Sequence, residues 1–207
     1  ITDKSQHAYL QRKNVNPFIC RVDKYDNLII PFFSLNSNEI CTIQYIKPDG
    51  SKLFLKDSEK GYSFLGDKSS IPQSNLIKRG LAVNHDYIDL ILITEGFSDA
   101  ACIYQETGYF TIIAGDCNNI AKVVEKLKTL TFRDLKIMFI FDSDDASENG
   151  INRAIDVLGD DSKVIPAKPI CCYTRERFKD FNDFYLSNNY TPTRIKNLID
   201  TAIYTAF

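Results

Sequence analysis

Two apolar runs without alternation stand out along the chain, Ile88–Thr94 and Leu135–Phe141. Short stretches of this kind read as strands buried on both faces, as in parallel sheets. Each stops on acids: Glu95-Gly96 follows the first run and Asp142-Ser143-Asp144-Asp145 the second. Ser98–Thr107 is a predicted helix, with Ser98 as N-cap, Asp99 in the first turn and Gly108 just past the end. Tyr109–Ala114 reads as a further strand. The next helix, capped by Asn118 or Asn119, turns Ile120, Val123, Val124 and Leu127 inward and Lys122, Lys126 and Lys128 outward. Asn149–Leu158 is then a helix closed by Gly159, Lys163–Ile165 a short strand, and Thr191–Ala206 an amphipathic helix with Thr191 as cap and Pro192 at its first position. Strands and helices alternating at this spacing predict right-handed βαβ units and a parallel sheet.

The pattern upstream is different in kind. Residues 1–26 are polar, with Tyr9-Leu10-Gln11-Arg12-Lys13 the one pointed feature. Leu28–Phe33, Ile40–Ile46 and Lys52–Leu55 read as short strands separated by the turn signals Asn36-Ser37-Asn38 and Pro48-Asp49-Gly50. They predict a small antiparallel sheet on which Lys47, Lys52 and Lys56 cluster, followed by a long irregular connection over residues 57–75. The expected fold class is mixed α/β: a β-rich lobe over residues 1–85, a parallel βαβ domain over 86–190 and a C-terminal helix over 191–207.

Composition is that of an ordinary globular protein, 44% hydrophobic and 25% charged. No apolar run approaches the ~20 residues needed to span a bilayer. The cysteines (Cys20, Cys41, Cys102, Cys117, Cys171 and Cys172) lack C-x-x-C spacing and read as buried free thiols in a reducing cytoplasm. With His7 and His85 as the only histidines, a His-based metal site or triad has little support. Charge is unevenly spread, though by itself it decides nothing. Residues 1–80 carry 12 Lys+Arg against 8 Asp+Glu, whereas residues 81–207 carry 13 against 19. A basic lobe beside an acidic one suits a polyanion lying across both.

Open α/β sheets bind ligands beyond the carboxyl ends of their strands. Glu95 and Asp99 follow one such end, and Asp142 and Asp144 another. Like charges gathered there cost stability unless a cation sits among them, which predicts a magnesium site. A further acidic group, Phe178-Lys179-Asp180-Phe181-Asn182-Asp183-Phe184, offers Asp180 and Asp183 in an aromatic setting with Lys179 beside them.

A strand ending in Glu-Gly with an Asp four residues after the Glu, followed by a strand ending in Asp-x-Asp, resembles the Toprim domain of bacterial-type primases, type IA and II topoisomerases and related nucleases. Lys179-Asp180-Phe181-Asn182-Asp183 resembles the third acidic motif of the primase members, particularly those of phages and plasmids. Tyr9-Leu10-x-Arg12-Lys13, Ile30-Pro31 and the stretch Ile43 to Phe54 are similar to the region that precedes Toprim in those primases.

The resemblance implies a DNA primase catalytic core that makes short RNA primers on single-stranded DNA from nucleoside triphosphates, with Mg2+ or Mn2+ as cofactor. It implies Asp142, Asp144 and Asp99 as metal ligands, Asp180 as a further contributor, and Glu95 as ligand or general base. Arg12, Lys13, Lys52 and Lys179 become candidates for triphosphate or template backbone. The five residues after Asp144 read as a loop longer than is usual before Gly150. Neither a zinc ribbon nor a G-x-x-x-x-G-K-[ST] loop is visible, so the chain is expected to be a core cut from a longer polypeptide, with a replicative helicase domain or protein as partner. The same acids would also serve a Toprim nuclease or topoisomerase fragment, or survive in a non-catalytic nucleic-acid-binding module.

Overall fold

The computed structural model describes residues 4–37, 39–66, 90–130, 136–140, 142, 144–159, 164–165, 178–187 and 193–206. Expectations that fall on Asp89, Leu135, Phe141, Ser143, Lys163, Thr191, Pro192, His85, Cys171 and Cys172 lie outside these residues.

The chain opens with a 3-10 turn, Lys4–Gln6, and a helix, α1 (Ala8–Lys13). This stretch was expected to be merely polar. His7 starts the helix: its Nδ1 accepts from the Tyr9 N–H at 3.3 Å, and Nε2 then donates to Asp26 O at 2.9 Å. The turn buries Tyr9 and Leu10 under an antiparallel sheet of order β1-β2-β3-β4, with β1 Arg21–Val22, β2 Leu28–Phe33, β3 Ile40–Ile46 and β4 Lys52–Phe54. Leu28, Ile30, Phe32 and Ile46 face inward from it.

The second sheet has the order β5-β7-β6-β8-β9, with β5 Ser63–Leu65, β6 Leu90–Thr94, β7 Thr111–Ile113, β8 Lys136–Ile140 and β9 Val164–Ile165. β5 lies in what reads as an irregular connection and runs antiparallel to β7; the other pairings are parallel. Three helices follow the parallel strands: α2 (Phe97–Thr107), α3 (Cys117–Leu130) and α4 (Asp145–Leu158). A short α5 (Phe181–Tyr185) and α6 (Arg194–Ala206) complete the described fold.

Because β6 is buried on both faces, its alternate residues feed two cores. Leu92, with Met138 and Ile140 of β8, packs on α2, α5, α6 and the inner face of the first sheet. Ile91 and Ile93, with Ile137 and Phe139, pack on α3 and α4. Ile120, Val123, Val124 and Leu127 are completely buried there, as their spacing predicts.

Three boundaries differ from expectation for identifiable reasons. Gly96, not Ser98, is the N-cap of α2, so Ser98 is buried in the first turn. Asp116, rather than either asparagine, caps α3 by accepting from the N–H groups of Asn118 (2.9 Å) and Asn119 (3.2 Å). Helix α4 begins four residues before Asn149 because Asp144 caps it, accepting from the Ser147 N–H at 2.9 Å. The presumed loop of Asp145 to Asn149 is the first turn of that helix, and both acids in it suit a helix N-terminus.

Candidate active site

The connection after β6 leads by α2 to β7 on one side, whereas the connection after β8 leads by α4 to β9 on the other. The sheet therefore parts at the carboxyl ends of β6 and β8, the switch point at which such folds hold ligands. The register sets Thr94 beside Ile140 on one side and Ile113 on the other. Glu95, Asp142 and Gly115 consequently leave the sheet side by side, and the Gly115 N–H donates to Glu95 O at 2.9 Å.

A cavity of about 340 Å³ opens at this point. Glu95, Asp99, Asp142 and Asp180 form its acidic wall; Arg12, Lys13 and Lys52 stand around it from the first sheet and α1, with Asp49 of the β3–β4 turn among them. Asp144 and Lys179 do not line it. Asp144 is exposed, and its Oδ1 is engaged in capping α4 while Oδ2 makes no hydrogen bond among the described residues. Lys179 is exposed on the approach to α5.

The acids are held in place by neighbours that the motifs did not single out. Asp99 is almost fully buried, and its Oδ1 accepts from the Asn182 N–H at 2.9 Å. The Asn182 side chain, itself completely buried, donates to Lys13 O at 2.9 Å, so one residue ties α5, α2 and α1 together. Glu95 Oε2 accepts from Ser147 Oγ at 3.0 Å, which links the end of β6 to the start of α4. Asp180 caps α5 through the Asp183 N–H at 2.6 Å, and Lys13 sits 3.9 Å from Asp180 and 3.7 Å from Asp183. Ser147 stands three residues after Asp144, the spacing of an N-cap pair, so its place was readable in principle. Nothing in the sequence distinguishes Asn182 from any amide beside a helix cap.

Burial and mutual repulsion move the titration of these groups in one direction. Asp142 is pushed up to about 7, first by burial and then by Asp99, Glu95, Asp180 and Asp144. Asp99 is raised by burial and by Asp180, against the Asn182 hydrogen bond. Glu95 is raised by burial, with Asp144 and Asp116 adding to it while Ser147 and Lys52 oppose. A cluster in which several carboxyls resist ionisation is one that a cation would relieve.

Asn182→Ala removes the donor to Lys13 O and is expected to lower stability by about 1–2 kcal/mol, since a part-buried carbonyl loses its partner. Chemical denaturation read by near-UV circular dichroism measures it; an unchanged midpoint would show that the tie between α1 and α5 is not needed.

The two-sheet arrangement, with this cavity at the parting of the parallel strands, is the fold of the DnaG-type primase catalytic core. Three solved structures carry the comparison. The DnaG catalytic core matches with a TM-score of 0.60 at 10% identity, over 97% of this chain and 72% of that one. The primase fragment of the bacteriophage T7 primase-helicase protein matches at 0.55 and 16% identity, over 96% and 68%. The Aquifex aeolicus primase, with its zinc-binding and RNA polymerase domains, matches at 0.55 and 16%, over 84% of this chain and 40% of that one. At these identities the likeness is one of fold. No protein-family model matches the chain, and no curated protein matches it in sequence.

Proposed function

We propose that the chain is the catalytic core of a DNA primase, with a Toprim-type metal centre at the parting of β6 and β8. The observation that supports this most is that Glu95, Asp99, Asp142 and Asp180 share one cavity with Arg12, Lys13 and Lys52 on a primase-core fold. Acids opposite cations around a common space suit a reaction between a nucleic-acid hydroxyl and a nucleoside triphosphate.

The donor set fits magnesium. It consists of oxygens alone, and among the described residues no three His, Cys, Asp or Glu side chains converge into a ready-made cage. Mg2+ takes one or two protein carboxylates and keeps other positions for water and phosphate, so acids spread around a cavity suit it. Asp142 and Asp99 would hold it, with Glu95, Asp180 and the free Oδ2 of Asp144 at the margin. Bound there, the ion would lower the pKa of an attacking 3′-hydroxyl and neutralise charge building on the α-phosphate. Glu95 serves as ligand or as base. Lys52, whose Nζ comes close to Gly96 on the same side as Asp99 Oδ2, would screen the same charge.

The template is single-stranded DNA, and backbone contacts from Arg12, Lys13 and Lys179 would be salt-sensitive and blind to sequence. The neighbour from bacteriophage T7 is part of a primase-helicase, and a replicative helicase domain or protein is the partner proposed for this chain. Among the described residues no helix is long and apolar enough to cross a membrane.

The test is primer synthesis on single-stranded DNA with labelled ribonucleotides and Mg2+ or Mn2+, run beside Asp142→Ala and Glu95→Ala. Short RNA products that depend on the metal and vanish in both variants are expected. Shortened DNA with no requirement for nucleotides would replace the proposal with a Toprim nuclease. Ser147→Ala supplies a finer check: losing the hydroxyl that orients Glu95 is expected to weaken Mg2+ binding about tenfold. Isothermal titration with Mg2+ reads this, and wild-type affinity would remove Ser147 from the site.

A further inference from the structure

The first sheet is apolar on both faces. Leu28, Ile30, Phe32 and Ile46 form its buried side. On the other side, cross-strand partners share a face: Ile29 lies beside Tyr45 and Tyr45 beside Leu53, while Pro31 lies beside Ile43. The Leu55 N–H donates to Ile43 O at 3.2 Å and so extends the second row. None of these six is buried, and Leu53 and Leu55 are 55% and 50% exposed. An antiparallel sheet that meets water on one side ordinarily turns polar residues to it.

The strand that carries the two leucines is also an open edge. β4 ends the sheet, and β3 is its only strand partner among the described residues. The Lys47 N–H donates to Ser51 O at 2.9 Å, and Leu55 bonds to Ile43 as above. Ser51, Leu53 and Leu55 therefore turn their backbone groups to β3, and Lys52 and Phe54 turn theirs away from it. Proteins blunt such edges with charges, bulges or very short strands. β1, at the opposite edge, is two residues long and bears the exposed Arg21. β4 has leucines on the open face instead, because its Lys52 points into the cavity.

We infer that β4 pairs antiparallel with β4 of a second copy of this chain, about a two-fold axis at Leu53, to make one eight-stranded sheet from two four-stranded ones. Charge selects this register. Centring the pair on Lys52 would set Lys52 against the partner's Lys52, and centring it on Phe54 would set Lys52 against the partner's Lys56. Like charges directly opposite are destabilising. Centred on Leu53, the outward backbone groups of Lys52 exchange hydrogen bonds with those of the partner's Phe54, and Leu53 meets the partner's Leu53. Such an interface is isologous: the same surface serves both copies. On the cavity side, the ring of the partner's Phe54 then flanks Lys52, a favourable neighbour for a cation. The leucines favour protein over nucleic acid as the occupant, since bases stack on aromatic rings and Tyr45 is the one ring on this face. The inference does not depend on the reading of the active site.

The test uses the whole chain in sedimentation velocity from about 1 to about 100 µM, the range of weak interfaces. Wild type is expected to pass from monomer to dimer across it. Leu53→Lys places like charges at the two-fold and should raise the dissociation constant roughly tenfold or more. Its melting temperature in dilute solution should match wild type, because the side chain it replaces is exposed. Cross-linking reads the register. Leu53 and the partner's Leu53 form a non-hydrogen-bonded pair with Cα atoms about 4.5 Å apart, which is within disulfide reach. With copper phenanthroline as oxidant, Leu53→Cys should give a reducible dimer above the wild-type background. Leu55→Cys faces the partner's Ser51 and should link only when Ser51→Cys is added to the same chain.

A wild type that stays monomeric throughout overturns the inference and leaves the edge for a strand of another protein. A dimer that Leu53→Lys leaves intact overturns it too, since the contact then lies elsewhere. So does a dimer in which Leu55→Cys alone links more readily than Leu53→Cys.

Discussion

Asp142→Asn is expected to abolish primer synthesis and, in the same protein, to raise the melting temperature measured in EDTA. The two effects share one cause. Asp142 is half-buried among Asp99, Glu95, Asp180 and Asp144, each of which disfavours its charge. An asparagine keeps the shape and removes one negative charge, so the metal-free fold gains. On the proposed function, the reaction also loses a carboxylate that would hold the metal. If that is worth about 4 kcal/mol of transition-state stabilisation, the rate falls on the order of 10³-fold.

The pH dependence follows from the direction of the shift. The carboxyl titrates at about 7 in the fold, against its ordinary value of 3.8 when unfolded. Between those values the folded state holds more protons, so metal-free stability declines as pH rises from about 4 to about 7 and then levels off. Asp142→Asn should flatten that decline, and saturating Mg2+ should remove it from wild type. Melting curves in EDTA from pH 4 to 8 decide the matter. A variant that melts lower than wild type at pH 8 would mean that Asp142 is held by favourable partners rather than crowded by repulsive ones.

Much of this site was legible because strand ends carry strong signals. Uninterrupted apolar runs located β6 and β8, and the acids at their ends gave the position of the cavity before any topology was known. What could not be read is what depends on pairing across the chain. Tyr9-Leu10 sits in a polar stretch too short to show a period, yet α1 forms because the first sheet covers it and His7 caps it. Three-residue β5 has no pattern of its own and exists through its pairing with β7. Asp144 illustrates a conflict between two readings of one residue. The Asp-x-Asp pattern points to a ligand, whereas Asp144-x-x-Ser147 is equally a helix cap, and the structure shows the capping bond. Asn182 carries no signal because its role is to bring together Asp99 and Lys13, which lie far apart in sequence.

Gly61→Ala should be strongly destabilising. A methyl added at Gly61 would lie 1.8 Å from Phe33 O and 2.6 Å from the Phe33 carbonyl carbon. Both atoms are backbone, and that backbone is pinned: Phe33 and Tyr62 exchange hydrogen bonds at 2.7 and 3.0 Å, and Gly61 O accepts from Asn119 Nδ2 at 2.6 Å. No rotamer change relieves the clash, so the bridge between β2 and the strand leading into β5 must open. Gly115→Ala is a useful contrast. There the added methyl meets Phe54 Cζ at 2.7 Å and Phe32 Cε1 at 2.9 Å, the far ends of side chains that can turn aside, although a φ of +87° adds strain. Overpacking a core costs about 1–3 kcal/mol, occasionally more, and Gly61→Ala belongs at or beyond the upper end. For a chain of this size that corresponds to a melting temperature lower by about 10 °C. Phe54→Leu should recover part of the loss in Gly115→Ala and none in Gly61→Ala. Because the Gly61 bridge joins the sheet that carries Lys52 to the sheet that carries Glu95, primer synthesis by Gly61→Ala should fail even below its melting temperature, with Mg2+ binding to the acids retained. If Gly61→Ala melts with wild type, the close approach of Gly61 to Phe33 does not hold the two sheets together.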